Sequence, residues 1–235
     1  GVQMYGGILF KQLCDEAEAI FCKLPVPKPC MGESQTMRGG FGGGGAAAAP
    51  ANAPSSMTQY YNRGGGCFTG DTKIYIDEND TINTCNIKSG DNVLTINNQV
   101  TQVVCVIKCF CRNTDIIRIQ HLGITPWHPI KKVNSNKWEF PISIAKTSKE
   151  DITEVYNFVL ATGHILIVDD FECVTYGHNL ESEVVKHEYF GDKIIDDLKK
   201  THGWESGYIE FDEDCFVRNN ENEVVGLDLS KEIKL

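Results

Sequence analysis

The chain has 235 residues, 41% of them hydrophobic and 9% aromatic, with a formal net charge of −10. That is enough for one core of roughly 150 residues with appendages, and no apolar run approaches the roughly 20 residues a membrane span requires. The acidic excess gathers after Glu181, in "DEDC" and "NNENEVV", a surface that repels phosphate backbones, so nucleic acid and membrane are both unpromising partners.

Residues 8–24 place Leu9, Leu13, Ala17, Ile20 and Leu24 at three- and four-residue intervals, predicting an amphipathic helix that "PVPKP" ends. Residues 1–30 then read as the helical tail of an upstream unit, and the start at Gly1 as a fragment or processed end. From Met31 to Arg63 the composition turns to Gly, Ala, Ser and Pro, including "GGFGGGGAAAAPANAPSS", with too little apolar surface to offset the entropy of ordering it. This predicts a flexible linker over 31–63 and a domain over 64–235.

Within that domain, short β-branched runs follow one another: "TKIYI", "DNVLTI", "VTQVVCVIKCFC", "DIIRIQ", "GITPWHPI", "VYNFVL" and "HILIVD". Turn signals separate them at spacings typical of a compact all-β fold. "DKIIDDLKKTHG" predicts a short helix with Asp192 as N-cap, an apolar face of Ile194, Ile195 and Leu198, and Gly203 as its stop. A closing hairpin is expected over 208–227.

Ten cysteines, at 14, 22, 30, 67, 85, 105, 109, 111, 173 and 215, lack the paired spacing of a disulfide framework. They read as mostly free, buried thiols of a reducing, cytoplasmic compartment. Cys105, Cys109 and Cys111 share one face of a strand, which suits a core row or part of a zinc site. No Cys-x-x-Cys or His pair accompanies them, so no metal is expected, and no cofactor motif is present.

Three local patterns carry chemistry: Cys67 behind the glycines 64–66, Thr125 and His128 in a Thr-x-x-His arrangement, and His164 followed by His178-Asn179. Each alone has a structural explanation, as a buried thiol, a core histidine or a turn dipeptide. Together they suit one reaction. A thiol can attack the carbonyl of its own upstream peptide through a five-membered ring and convert the amide to a thioester. Glycine at 66 neither hinders that attack nor resists distortion. A Thr hydroxyl and an imidazole two residues apart on one turn can orient the scissile group and protonate the departing nitrogen.

"CFTGDTKI", "SGDNVLTI", "ITPWHPI", "VYNFVL", "CVTYGHN" and "YFGDKIIDDLKK" resemble the Hint superfamily of hedgehog and intein autoprocessing domains, and most closely its Vint branch. The resemblance spans about Gly64 to Lys200. It implies an all-β, horseshoe-shaped Hint fold, here with a short C-terminal helix and hairpin, and an N-to-S acyl shift at Gly66–Cys67. By the same resemblance Cys67 is the nucleophile of a single-turnover self-cleavage, Thr125 and His128 assist at the scissile peptide, and His164, His178 and Asn179 match the C-terminal block. It also implies an upstream von Willebrand factor A-type domain. The substrate is the chain's own N-terminal segment, and the acyl acceptor is left open among water, a thiol and an amine. Inteins follow His-Asn with Ser, Thr or Cys, whereas here the next residue is Leu180, so splicing is not expected. A Hint fold without catalysis, kept for protein interaction or structure, is the alternative.

Overall fold

The structure, a computed structural model, describes residues 57–63 and 66–234. The helix expected over 8–24 and most of the expected linker lie outside the described residues. The architecture is all-β. An eight-stranded sheet runs in the order Thr147–Lys149, Asp115–Ile119, Leu122–Ile124, Phe68–Thr69, Glu154–Leu160, Val100–Phe110 and Tyr208–Phe211, with Asn92–Leu94 joined to the other end of Val100–Phe110. A four-stranded sheet orders Ile165–Val168, Phe171–Val174, Ile130–Lys132 and Trp138–Glu139, and two hairpins complete the strands. The open sheets do not close into a barrel.

The strand Glu154–Leu160 shows why the chemistry sits where it does. Side chains alternate across a strand, and here both faces are covered, so "VYNFVL" is buried throughout. Tyr156, Phe158 and Leu160 enter one core with Phe68, Ile124, Ile130 and Val106, while Val159 enters a second with Cys105, Ile107, Tyr176, Phe190 and Ile209. Asn157 shares the face of Val159 and is 2% exposed. A buried amide in an apolar run costs free energy unless its hydrogen bonds are made.

The helix Asp192–Leu198 lies where its periodicity predicts, with Gly191 rather than Asp192 at the N-cap, and it buries Ile194 and Leu198 in the second core. Asp192 is instead the first helical residue, where a carboxylate meets the positive end of the backbone dipoles. The expected hairpin over 208–227 divides in two. Tyr208–Phe211 pairs parallel with Val100–Phe110, and the hairpin itself joins Phe216–Arg218 to Val224–Leu227. The alternation in "YIEF" is the same for either pairing, and the partner is chosen by what lies beside it. Ile209 and Phe211 enter the second core beside Val100–Phe110, and Lys108 bridges Glu154 at 3.1 Å and Glu210 at 2.9 Å across three adjacent strands.

Met57–Arg63, at the end of the expected linker, contains the helical turn Thr58–Tyr61 and buries Tyr60. Gly, Ala and Ser dominate the linker's composition, and Tyr60 among them does not register until its pocket is seen. Among the described residues no helix is long and apolar enough to cross a membrane.

Candidate functional site

Cys67 extends the short strand Phe68–Thr69, which lies between Leu122–Ile124 and Glu154–Leu160. Phe68 pairs with Tyr156 and Ile124 and is fully buried, so the backbone just before it is held in the middle of the large sheet. The ladder ends in a substitution. The Thr125 N–H donates to the Cys67 carbonyl at 3.0 Å, but the Cys67 N–H donates to the Thr125 hydroxyl, at 3.0 Å, in place of a backbone carbonyl. Pro126 turns the chain out of the strand, and the His128 N–H closes that turn on the Thr125 carbonyl at 3.3 Å.

The turn delivers the His128 imidazole to the Gly66–Cys67 peptide. Nε2 lies 2.7 Å from the Val174 carbonyl, and the ring packs on Phe68 at 4.6 Å between centroids. A carbonyl only accepts, so Nε2 carries the proton and Nδ1 presents its lone pair. Nδ1 is buried and makes no hydrogen bond within normal geometry. A Cβ built on Gly66 would fall inside the Cγ–Nδ1 edge of this ring, so glycine is what lets the imidazole lie against the peptide. Burial pushes the His128 pKa down to about 4, against opposing pulls from the Val174 and Cys67 backbones, with His178 nearby adding to the depression. The imidazole is neutral at pH 7.

The other side of the peptide is held by a residue the sequence motifs did not single out. Asn157 donates from Nδ2 to the Gly66 carbonyl. Its Oδ1 accepts from Phe158 N–H at 2.6 Å and Tyr176 N–H at 3.3 Å, which fixes the amide so that its NH2 faces Gly66. An amide inside the six-residue apolar run "VYNFVL" was the signal that could have found it.

The Cys67 side chain borders a cavity of about 790 Å³ whose wall includes Thr125, Trp127, Cys109, Cys111 and Cys215. Burial pushes the Cys67 thiol up to about 12, Cys215 and Cys111 add to this, and a hydrogen bond from the Tyr176 side chain opposes it. Cys109 is raised by its hydrogen bond with Cys215 and by burial. Of the three cysteines weighed as a zinc site, Cys105 is buried in the second core, whereas Cys109 and Cys111 line the cavity. Among the described residues no group of three His, Cys, Asp or Glu side chains is placed to hold a metal ion. The described cysteines are all free.

The C-terminal block is divided. His164 occupies the turn before Ile165–Val168 with φ 46°, and its Nδ1 lies 3.0 Å from the Tyr176 carbonyl. Gly177, at φ 93°, lies against that ring and adopts a backbone angle that L side chains rarely take. Burial lowers the His164 pKa. His178 is buried, lines the same small cleft as Gly66 and Asn157, and has its Nδ1 unpartnered. Burial, and then His187 and His164, lower it to about 4. Asn179 is exposed and donates from Nδ2 to Asp192 at 2.9 Å. Cys67, Thr125 and His128 thus converge on Gly66–Cys67 with Asn157 and Tyr176 added, His178 borders them, and His164 and Asn179 stand further out.

No curated protein matches the sequence. Among solved structures the chain is similar to an Ssp DnaB mini-intein variant, with 10% identity, 48% of this chain and 96% of that chain covered, and a TM-score of 0.39. It is also similar to a bacterial intein-like domain from Clostridium thermocellum, with 18% identity, 46% and 97% covered, and a TM-score of 0.37. A DnaB intein from Synechocystis sp. PCC 6803 gives 13% identity, 47% and 98% covered, and a TM-score of 0.36. A family model described as Vint, a Hint-domain, matches residues 66–226, from Gly66 to the last hairpin. The chain belongs to the Vint family of Hint domains, an autoprocessing-related family.

Proposed function

We propose that the domain cleaves its own chain at Gly66–Cys67 through an N-to-S acyl shift. The observation that carries this reading is the convergence of three groups on one peptide: the Thr125 hydroxyl on the Cys67 N–H, the Asn157 amide on the Gly66 carbonyl, and the His128 imidazole edge against Gly66. The thiol proton passes to the free Nδ1 of His128 and Sγ attacks the Gly66 carbonyl carbon. The Asn157 NH2 holds the oxyanion, a role worth about 10²–10³ in rate for a single donor. Collapse breaks the C–N bond. His128 returns the proton from Nδ1 to the Cys67 nitrogen, leaving a free amine and a Gly66–Cys67 thioester. The Thr125 hydroxyl accepts from the Cys67 N–H and so fixes the orientation of the nitrogen as it changes from amide to amine. Water, a thiol or an amine arriving through the cavity beside Cys67 then resolves the thioester.

A Hint fold that does not cleave is the second reading, and the observation favouring it is the Cys67 thiol itself, buried and held to about 12. One experiment separates them. Intact mass is followed for the full chain with and without dithiothreitol or hydroxylamine, for wild type, Cys67→Ala and His128→Ala. Self-cleavage predicts a product ending at Gly66 from wild type, none from Cys67→Ala, and release slowed about 10²-fold or more in His128→Ala. Equal release from wild type and Cys67→Ala excludes the thioester route.

A further inference from the structure

The segment Met57–Arg63 lies ahead of Gly66–Cys67, on the side that departs when the bond breaks. A four-residue helix, Thr58–Tyr61, does not hold itself together in water. Its most buried side chain is Tyr60, which is 1% exposed. The Tyr60 hydroxyl donates to the Val185 carbonyl at 3.0 Å. Its ring packs on Phe140 at 5.2 Å and meets His187 edge-on at 5.3 Å, while Tyr61 lies against His187 at 5.6 Å. The His187 ring is itself fixed, 4.1 Å from Phe190 and accepting from the Tyr189 N–H at 3.1 Å. Arg218, from the last hairpin, reaches the Asn62 carbonyl at 3.4 Å with both Nε and Nη2.

These contacts come from three separate stretches of the domain, and Tyr60 shares a small cleft with Gly66, Asn157 and His178. A side chain that served only the core of the finished domain would lie downstream of the cleaved bond. Tyr60 lies seven residues upstream of Cys67. We infer that Phe140, Val185 and His187 form a binding site for a tyrosyl side chain of the leaving segment, and that Tyr60 in this site positions the Gly66–Cys67 peptide against Thr125, Asn157 and His128. The positioning half rests on the self-cleavage reading. The recognition half does not. Tyr60 is a positioning residue, because it touches none of the reacting atoms.

The test uses the full chain. Thiol-induced cleavage is timed for wild type, Tyr60→Phe and Tyr60→Ala, with circular dichroism as the check on folding. A fluorescent peptide MTQYYNR, the sequence of 57–63, is titrated into wild type and Tyr60→Ala. Removing the anchor slows cleavage at least about tenfold, and removing only its hydroxyl slows it about threefold to tenfold. The peptide binds Tyr60→Ala below about 1 mM and does not bind wild type, whose site is occupied. The same peptide with alanine at the position of Tyr60 does not bind. Cleavage by folded Tyr60→Ala at the wild-type rate overturns the positioning role. If that variant does not fold, an unchanged rate in Tyr60→Phe overturns it. Failure of the peptide to distinguish the two proteins overturns the recognition site. If wild type does not cleave, the self-cleavage reading and the positioning role fall together, and the peptide titration still decides recognition.

Discussion

Asn157→Ala separates the chemistry of the site from its architecture. The side chain makes three hydrogen bonds, and the substitution removes all of them with unequal consequences. On the structural side, the Tyr176 N–H keeps the Phe158 carbonyl at 3.1 Å, so only the Phe158 N–H loses the acceptor that Asn157 supplied, at 2.6 Å. One buried donor left unpaired costs about 1–3 kcal/mol, a loss a folded domain of this size tolerates. On the chemical side, the Gly66 carbonyl loses its donor as charge develops on it, and that costs about 10²–10³ in rate, or roughly 3–4 kcal/mol. Urea unfolding reports the first number, and the rate of thiol-induced release of the 1–66 fragment, followed by intact mass at a temperature where both proteins are folded, reports the second. Release by Asn157→Ala within about threefold of wild type would refute the assignment of Asn157 to the oxyanion, because the donor is then dispensable.

Gly66→Ala places a methyl group inside the His128 ring edge, so either the ring leaves the Val174 carbonyl or the Gly66–Cys67 peptide shifts. Cleavage falls about 10²-fold or more with at most about 1–3 kcal/mol of lost stability, and a wild-type cleavage rate contradicts the close approach. His128, His178 and His187 have pKa values of about 4 against an ordinary 6.5, lowered first by burial. Between those values the unfolded chain binds protons that the native chain does not, so this contribution to stability is complete above pH 6.5 and is lost as pH falls toward 4. Each histidine contributes about 2 kcal/mol of loss between pH 6.5 and pH 5, and His178→Gln reduces the slope by its own share. Urea midpoints that stay flat from pH 7 to pH 5 count against buried neutral histidines. Under the proposed self-cleavage, processing is expected at one end only: the Asn179 amide is engaged by Asp192, and Val185, Tyr189, Phe190, Ile194 and Leu198 are buried in the chain that follows. Mass spectrometry of thiol-treated protein therefore finds no peptide beginning at Leu180, and such a peptide, lost on Asn179→Ala, is the opposing result.

The order of short β-branched runs and turns was enough for an all-β fold, because period-two alternation is a local property that each strand carries in its own residues. The convergence of Cys67, Thr125 and His128 was legible for the same kind of reason: a thiol beside glycine and a Thr-x-x-His turn state their reach within a few residues. The hydrogen bond from Asn157 to the Gly66 carbonyl was not legible. The two residues are 91 positions apart, and only the pairing of Glu154–Leu160 with Phe68–Thr69 brings them together. Tyr60 was hidden similarly, in a segment whose average composition reads as linker while its pocket comes from Phe140, Val185 and His187. The parallel partner of Tyr208–Phe211 also depended on long-range placement, since alternation names a strand's faces but not its neighbour. Periodicity and side-chain chemistry are written along the chain, whereas hydrogen-bond partners and burial depend on which distant segments the closing of the sheets makes adjacent.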